Sequence, residues 1–262
     1  MLYALGDIHG QKAMLDRAFA LIAADGGADA PHVFLGDYVD RGPDSHGVIE
    51  ALIAGRDAGR DWTFIKGNHD RMFLRFVEEG ETHDAAIKSG LSWLNPRLGG
   101  PQTLASYGVN TTGPGRYVRD ERDRESLVSM PTDRGDVTLQ ELVSLARDAV
   151  PETHRQFLAT CPLTHQAEEH LFVHAGLRPG VALAEQVEDD LVWIRDGWLD
   201  STVDHGQVVV HGHTALDAPT HFGNRIDLDA GAGYGKPLIP AVLDDGKWFT
   251  LTDAGRVPLT PA

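Results

Sequence analysis

A chain of 262 residues with 42% hydrophobic side chains is long enough for one domain, or one domain carrying a large insertion, around a sizeable core. Lys and Arg total 23 against 39 Asp and Glu, a formal charge of −16, which repels duplex nucleic acid and anionic membrane surfaces. Phosphorylated substrates are repelled as well, so a phosphate-handling site here needs local positive charge, which metal ions can supply.

The chain opens on a short apolar run, 2–5, that reads as a strand and passes directly into Gly6-Asp7-Ile8-His9-Gly10. Segment 12–24 follows with Met14, Leu15, Ala18, Leu21 and Ile22 on one helical face, ended by Gly26-Gly27. A second strand at 32–35 leads into Gly36-Asp37. A second helix at 45–58 buries Val48, Ile49, Leu52 and Ile53, with Asp44 or Ser45 as its N-cap. A third strand at 62–66 leads into Gly67-Asn68-His69-Asp70. This alternation predicts an α/β protein with a partly parallel sheet.

Residues 78–168 read differently. They hold Gly-, Pro- and Asn-rich loops at 95–117, a charged cluster at 119–125 expected to be a solvated face, and helical patterns at 138–149 and 152–160. This is the pattern of a largely helical cap inserted between two halves of a core. Further strands are expected at 170–173 and 207–210. After 207 the pattern is mostly β, with short segments at 224–229, 238–243 and 247–252 and a turn at Asp245-Gly246. A second sheet packed on the first is the natural use of these strands.

The single cysteine, Cys161, excludes an internal disulfide and favours a reducing compartment. It is expected to be a small buried residue rather than a catalytic thiol. No secretory signal is visible in Met1–Leu5 and no apolar run is long enough to span a bilayer, so a cytoplasmic location without membrane partners is the default expectation. The oligomeric state is not legible.

Five strand ends carry metal-ligand residue types: Asp7 and His9, Asp37, Asn68 and His69, His174, and His211-Gly212-His213. In α/β sheets ligands bind outside the carboxyl ends of the strands, so these side chains converge. From Asp7 to Asp37 is 37 − 7 = 30 residues, and from Asp37 to Asn68 is 68 − 37 = 31. Both fit one strand–helix–strand unit returning to the same edge. Carboxylate and imidazole suit divalent metals such as Mn, Fe and Zn, and the lack of thiolates argues against a closed structural zinc site. A carboxylate can bridge two cations about 3.5–4 Å apart that hold and deprotonate a shared water.

Gly6-Asp7-Ile8-His9-Gly10, Gly36-Asp37-Tyr38-Val39-Asp40-Arg41-Gly42 and Gly67-Asn68-His69-Asp70 together resemble the signature of calcineurin-like metallophosphoesterases. The Val39–Gly42 extension, His174-Ala175-Gly176 and Gly212-His213-Thr214 are similar to its phosphoprotein phosphatase branch. Trp193-Ile194-Arg195 and Arg225–Gly231 resemble bacterial members. The likeness covers roughly 1–77 and 170–245. It leaves 78–168 unexplained beyond Gly99-Gly100 and Thr103-Leu104.

The resemblance implies a two-sheet β-sandwich flanked by helices, a single domain over 1–262 with the cap at 78–168, and two divalent metals. Manganese comes first, with iron or zinc as alternatives. It implies Asp7 and His9 on the first metal, Asp37 bridging, and Asn68, His174 and His213 on the second. His69 becomes the general acid oriented and kept protonated by Asp40, with Arg41 and Arg195 on the phosphate oxygens. The implied reaction is hydrolysis of a phosphomonoester by a hydroxide held between two metals.

Two positions depart from the family pattern. Asp70 stands where phosphoprotein phosphatases usually carry Glu, with a modest effect expected. Ala215 stands where many generic relatives carry a second His, which leaves the first metal with fewer protein ligands. His211 is ambiguous and is not assigned. Arg195 has the plainer alternative of a surface arginine. His46, His83 and His205 are expected to be exposed polar residues, and Trp62, Trp93, Trp198 and Trp248 to be packing residues. Three functions follow in order: a serine/threonine protein phosphatase, a dinucleoside polyphosphate hydrolase acting on a molecule such as diadenosine tetraphosphate, and a phosphate-binding module without turnover.

Overall fold

Alternation along the first strand sets the architecture. In β1 (Leu2–Leu5), Tyr3 and Leu5 pack with one hydrophobic cluster and Ala4 with another, because successive side chains leave opposite faces of a strand. The protein, described by a computed structural model over residues 1–261, repeats this division across a six-stranded sheet of order β14-β13-β12-β1-β2-β3.

β2 (His32–Phe34) and β3 (Trp62–Phe64) run parallel to β1, while β12 (Ala241–Asp244), β13 (Lys247–Thr252) and β14 (Gly255–Pro258) extend the other side antiparallel. The parallel strands are joined by α1 (Lys12–Ala24) and α2 (Ser45–Asp57), and α3 (Asn68–Glu79) leaves β3. Asp44 caps α2 by accepting from the Gly47 N–H at 2.8 Å, which satisfies one of the donors a helix start leaves free.

The second sheet, order β10-β11-β9-β8-β7, comprises β7 (Thr164–Ala167), β8 (His170–Val173), β9 (Val208–His211), β10 (Thr220–His221) and β11 (Arg225–Asp227). Its central β8, β9 and β11 are parallel, with antiparallel edges. Phe172, Val210, Ile226 and Leu228 face Ala4, Val33, Leu35 and Ile65 of the first sheet and form the interior of a sandwich. On the outer face Leu171, Val173 and Val209 meet Leu191 and Val192 of α7 (Glu188–Trp193) and Trp198. On the far side of the first sheet Phe34 and Leu5 pack among the helices. Phe34 is fully buried there, and truncating it to Ala would cost about 3–5 kcal/mol.

The 78–168 region contains the expected helices α5 (Leu139–Ala149) and α6 (Glu152–Thr160). It also contains two elements that composition concealed. The Gly/Pro-rich stretch folds in part as α4 (Gly100–Ser106), opened by Gly99 at φ 96°, with Pro101 tolerated in the first turn. The charged cluster closes a hairpin in a separate antiparallel sheet of β4 (Arg116–Arg119), β5 (Glu125–Thr132) and β6 (Gly135–Val137). Arg119 pairs with Asp123 and Arg124 with Asp120 across that turn, so the cluster is a solvated face as expected. Cys161 is buried. Among the described residues no helix is long and apolar enough to cross a membrane.

Candidate metal centre

The carboxyl ends of β1, β2, β3, β8 and β9 all lie at one edge of the sandwich, and the loops leaving them are unusually constrained. Among the described residues, eight non-glycine residues have positive φ, and His9, Asp37, Asp40, Arg41 and His213 are five of them. Each such conformation costs energy that surrounding structure must hold, and strain of this kind concentrates at functional sites. Two glycines permit the approach of backbone to carboxylate. A Cβ on Gly67 would overlap Asp37 Oδ1, and one on Gly212 would overlap Asp7 Oδ1.

Asp37 occupies the middle. Its Oδ2 lies 3.5 Å from His9 Nε2 and its Oδ1 lies 3.4 Å from His174 Nε2, so its two oxygens face two separate groups of ligands. On the first side Asp7 Oδ2 is 3.8 Å from His9 Nε2. On the second, Asp37, His174 and His213 each present a ligand atom within 4.8 Å of the others. Asn68 Oδ1 is 2.8 Å from His174 Nε2. All of these side chains are buried.

The hydrogen bonds behind the ligands orient them. His9 Nδ1 donates to the Val39 carbonyl at 2.8 Å and His174 Nδ1 to the Leu35 carbonyl at 2.7 Å, which leaves Nε2 of each as a lone pair. Asp7 accepts from the His213 N–H at 2.9 Å and Asp37 from the His69 N–H at 2.9 Å. Behind Asp37, Asp70 accepts three backbone N–H groups, from Asp37, Tyr38 and Gly67, at 2.8, 2.8 and 2.9 Å.

A cation fits this arrangement on two observations. His174 Nε2 and Asn68 Oδ1 are both acceptors and face each other, and burial pushes the His174 ring down to about 3, so no proton is available to join them. The buried His213 Nε2 has no hydrogen-bond partner. Two facing lone pairs and a third unsatisfied one are costly in a buried site unless a positive charge joins them. The carboxyls agree. Burial raises Asp7, with Asp229 and Asp37 adding to it, and burial together with Asp70 raises Asp37. Unneutralised, so many carboxylates resist ionising together.

The remaining residues form the rim. His69 Nδ1 is 2.6 Å from Asp40 Oδ2. Arg41 donates from Nη1 to His9 Nε2 at 2.5 Å and from Nη2 to His69 Nε2 at 3.0 Å, so its guanidinium must withdraw from His9 before that nitrogen can bind a metal. Arg195 is exposed but tied to the site. Its Nη2 donates to the His213 carbonyl at 3.2 Å. Arg41, Arg195 and Lys88 line a cleft of about 380 Å³ with Asp37, Asn68, His69 and His213. His211 stands apart, with its Nδ1 donating to the Gly212 carbonyl at 3.0 Å and its ring 5.5 Å from that of Trp198.

Several contributors were not assigned from sequence. Asp40 accepts from Trp93 Nε1 at 2.8 Å and Thr103 Oγ1 at 2.7 Å, and its own N–H donates to Thr103 Oγ1 and Ser45 Oγ. Trp93 is the buried packing residue expected, and its indole N–H adds a polar role. Asp229 presses on Asp7 from the Arg225–Gly231 stretch. Tyr234, exposed, stacks on Arg41 with the guanidinium carbon 4.9 Å from the ring centroid. The likeness at Thr103 was the one signal that could have led to the partners of Asp40.

Comparison with known proteins agrees with this geometry. The sequence profile of the calcineurin-like phosphoesterases matches residues 2–236. A symmetrical bis(5'-nucleosyl)-tetraphosphatase from Acidovorax sp. (strain JS42) is 42% identical over 73 residues, covering 28% of this chain and only 25% of that protein. The fold is similar to that of a crystal structure described as a putative diadenosine tetraphosphatase (TM-score 0.61, 23% identity, 95% of this chain and 92% of the other). It is also similar to that of a cold-active protein-tyrosine phosphatase of a psychrophilic Shewanella sp. (TM-score 0.55, 16% identity, 99% and 80%). Because the profile takes in β1, β2, β3 and the whole second sheet, with every strand end that carries a ligand-type side chain, the chain belongs to the calcineurin-like phosphoesterase family of metal-using phosphoester hydrolases.

Proposed function

We propose that the protein hydrolyses a phosphoanhydride bond of a dinucleoside polyphosphate, with Asp37 between two divalent cations. The observation that carries the metal assignment is the placement of Asp37, one oxygen toward His9 and the other toward His174. The proposed ligands are Asp7, His9 and Asp37 on one side and Asp37, Asn68, His174 and His213 on the other. Two bound cations would supply a deprotonated water and neutralise charge developing on the phosphoryl oxygens.

The chain's own residues do the rest. Arg41 and Arg195 present donors to phosphoryl oxygens in the cleft, and the fork of each guanidinium matches that geometry. His69 is the proposed acid for the leaving oxygen. In the structure its Nε2 accepts from Arg41, and burial followed by Arg41 and Arg195 pushes the ring's pKa down. The Asp40 carboxylate on Nδ1 acts in the other direction and favours the charged ring. The charge of a bound phosphoryl group beside Nε2 opposes those arginines and raises the ring's pKa toward the value an acid needs.

Substrate class rests on two supports. The 42% identical stretch belongs to a nucleoside tetraphosphatase. Two arginines, Arg41 and Arg195, gather in one cleft of a chain whose net charge is −16, which suits a phosphate-bearing substrate, while Lys88 beside them is paired with Asp196 at 2.5 Å. A serine/threonine protein phosphatase is the second reading, favoured by Val39-Asp40-Arg41-Gly42 and by Ala215 in place of a second histidine. Manganese is the proposed metal for this nitrogen and oxygen donor set, with iron or zinc as alternatives. Residues 78–168 are proposed as part of the same domain, since Trp93 and Thr103 complete the surroundings of Asp40.

The test is a side-by-side rate assay on metal-stripped protein reloaded with Mn²⁺, using diadenosine tetraphosphate and a phosphothreonine peptide, with Asp37→Asn as control. Dominant nucleotide turnover that vanishes in the variant supports the proposal. Dominant peptide turnover moves the substrate to phosphoproteins. Absence of metal-dependent turnover of both, and of an aryl phosphate, contradicts the proposed chemistry.

A further inference from the structure

A second group of metal-binding side chains meets away from the cleft. His46 and Glu50 stand one helical turn apart on α2 and share a face. His154 reaches them from α6, and one ligand atom of each lies within 4.8 Å of the other two. Glu50 Oε1 is 2.8 Å from His154 Nε2 and 3.9 Å from His46 Nε2. Donors on a tetrahedral zinc ion, at bonds of about 2.0–2.1 Å, sit about 3.3 Å apart, between those two values.

The three residues differ in freedom. The His154 side chain is fully buried, whereas those of His46 and Glu50 are 40% and 54% exposed and can adjust. His154 is also oriented from behind, with Nδ1 2.9 Å from Tyr107 Oη. A ring bound through Nε2 keeps its proton on Nδ1, and a tyrosine hydroxyl can accept that proton as readily as it can donate its own. The change of tautomer needs no heavy atom to move. The His46 ring packs 5.2 Å from that of His154 and 5.1 Å from that of Tyr107, which keeps the imidazoles together.

We propose that His46, Glu50 and His154 form a third cation site, separate from the catalytic centre, for one divalent ion of the zinc, nickel or copper class, completed by water. Two imidazoles and one carboxylate favour such ions over magnesium or calcium. None of the three side chains lines the catalytic cleft. A bound ion would pin α6, within the 78–168 region, to α2. The residue before His46 is Ser45, whose Oγ accepts from the Asp40 N–H and lies 3.1 Å from Thr103 Oγ1. Those contacts are complete without an ion, so the frame that holds Asp40 does not depend on the site.

The test counts zinc on the full metal-stripped chain by calorimetric titration and elemental analysis, for the wild type, His46→Ala and Glu50→Gln. Both substitutions lie on exposed side chains, and circular dichroism checks that the variants fold. The proposal predicts that each variant loses one zinc equivalent, or binds it at least tenfold more weakly, while its Mn²⁺-dependent turnover of an aryl phosphate stays at the wild-type level. It also predicts that the wild type reloaded with Co²⁺ has a visible-absorption component missing from His46→Ala. Equal zinc stoichiometry and affinity in all three proteins would overturn it, whatever the outcome at the catalytic centre.

Discussion

His69 Nδ1 lies 2.6 Å from Asp40 Oδ2, and the same carboxylate oxygen takes the indole N–H of Trp93 at 2.8 Å. Asp40 fixes the ring at Nδ1, and Nε2, which accepts from Arg41, is directed at the cleft. If His69 protonates the leaving oxygen, His69→Ala loses roughly 10²–10⁴ in kcat on phosphoserine, whose alkoxide needs a proton. On p-nitrophenyl phosphate the loss is smaller, because that leaving group needs little protonation. Equal losses on both substrates would remove the general-acid role.

Trp93 and Thr103 act through Asp40. Trp93→Phe and Thr103→Val each remove one donor to a buried carboxylate and leave part of it unsatisfied, at a cost of about 1–3 kcal/mol in stability. Both donors lower the Asp40 pKa, which burial pushes up to about 7, so each variant raises it further. The acid-side limb of the kcat/KM profile moves to higher pH in both variants, and denaturant unfolding reads the stability cost. An unmoved limb would show that these donors serve packing alone.

Asp70 is a backbone clasp. Asp70→Ala orphans three buried N–H groups in the turns that carry Asp37 and Asn68, a loss of about 3 kcal/mol or more. Asp70→Asn keeps one acceptor oxygen and loses less. Urea unfolding of the two variants should rank them in that order.

The metal-free protein should respond to pH with a definite sign. Buried His9, His69, His174 and His213 have lowered pKa values, so stability rises with pH up to their unfolded value of about 6.5 and gains nothing from them above it. Asp40 and Asp70 are raised to about 7, and Asp7 and Asp37 are raised too, so the native state binds more protons than the unfolded chain from about 4 upward. The two trends oppose each other below about 6.5, and above it the carboxyls act alone. Metal-stripped protein should therefore lose Tm between about pH 6.5 and 8, whereas Mn²⁺-loaded protein should not, because the cations compete with those protons. A metal-free Tm that climbs across this window would contradict the assignment of buried carboxyls.

Much of this was legible in the chain. Helices 12–24 and 152–160 and strands 2–5, 170–173 and 247–252 match their apolar patterns residue for residue, the helices through one buried face and β1 and β8 as apolar runs buried on both faces. The strand-end side chains converge because the parallel order of β1, β2 and β3 leaves them no other edge. The sheet of β4, β5 and β6 was not legible, since β4 is largely exposed and its residues lack a core-facing alternation. The contacts of Asp40 with Trp93 and Thr103 span 53 and 63 residues, and no local pattern encodes a pairing at that distance. His46 read as an ordinary exposed histidine because Glu50 and His154 complete its surroundings only after α2 and α6 pack.

Anomalous diffraction from crystals soaked in Mn²⁺ tests the two-metal centre most directly. The account predicts two peaks about 3.5–4 Å apart, one on each side of the Asp37 carboxylate, the first within bonding distance of His9 and the second of His174 and His213. A single peak, or a pair that Asp37 does not bridge, would contradict it.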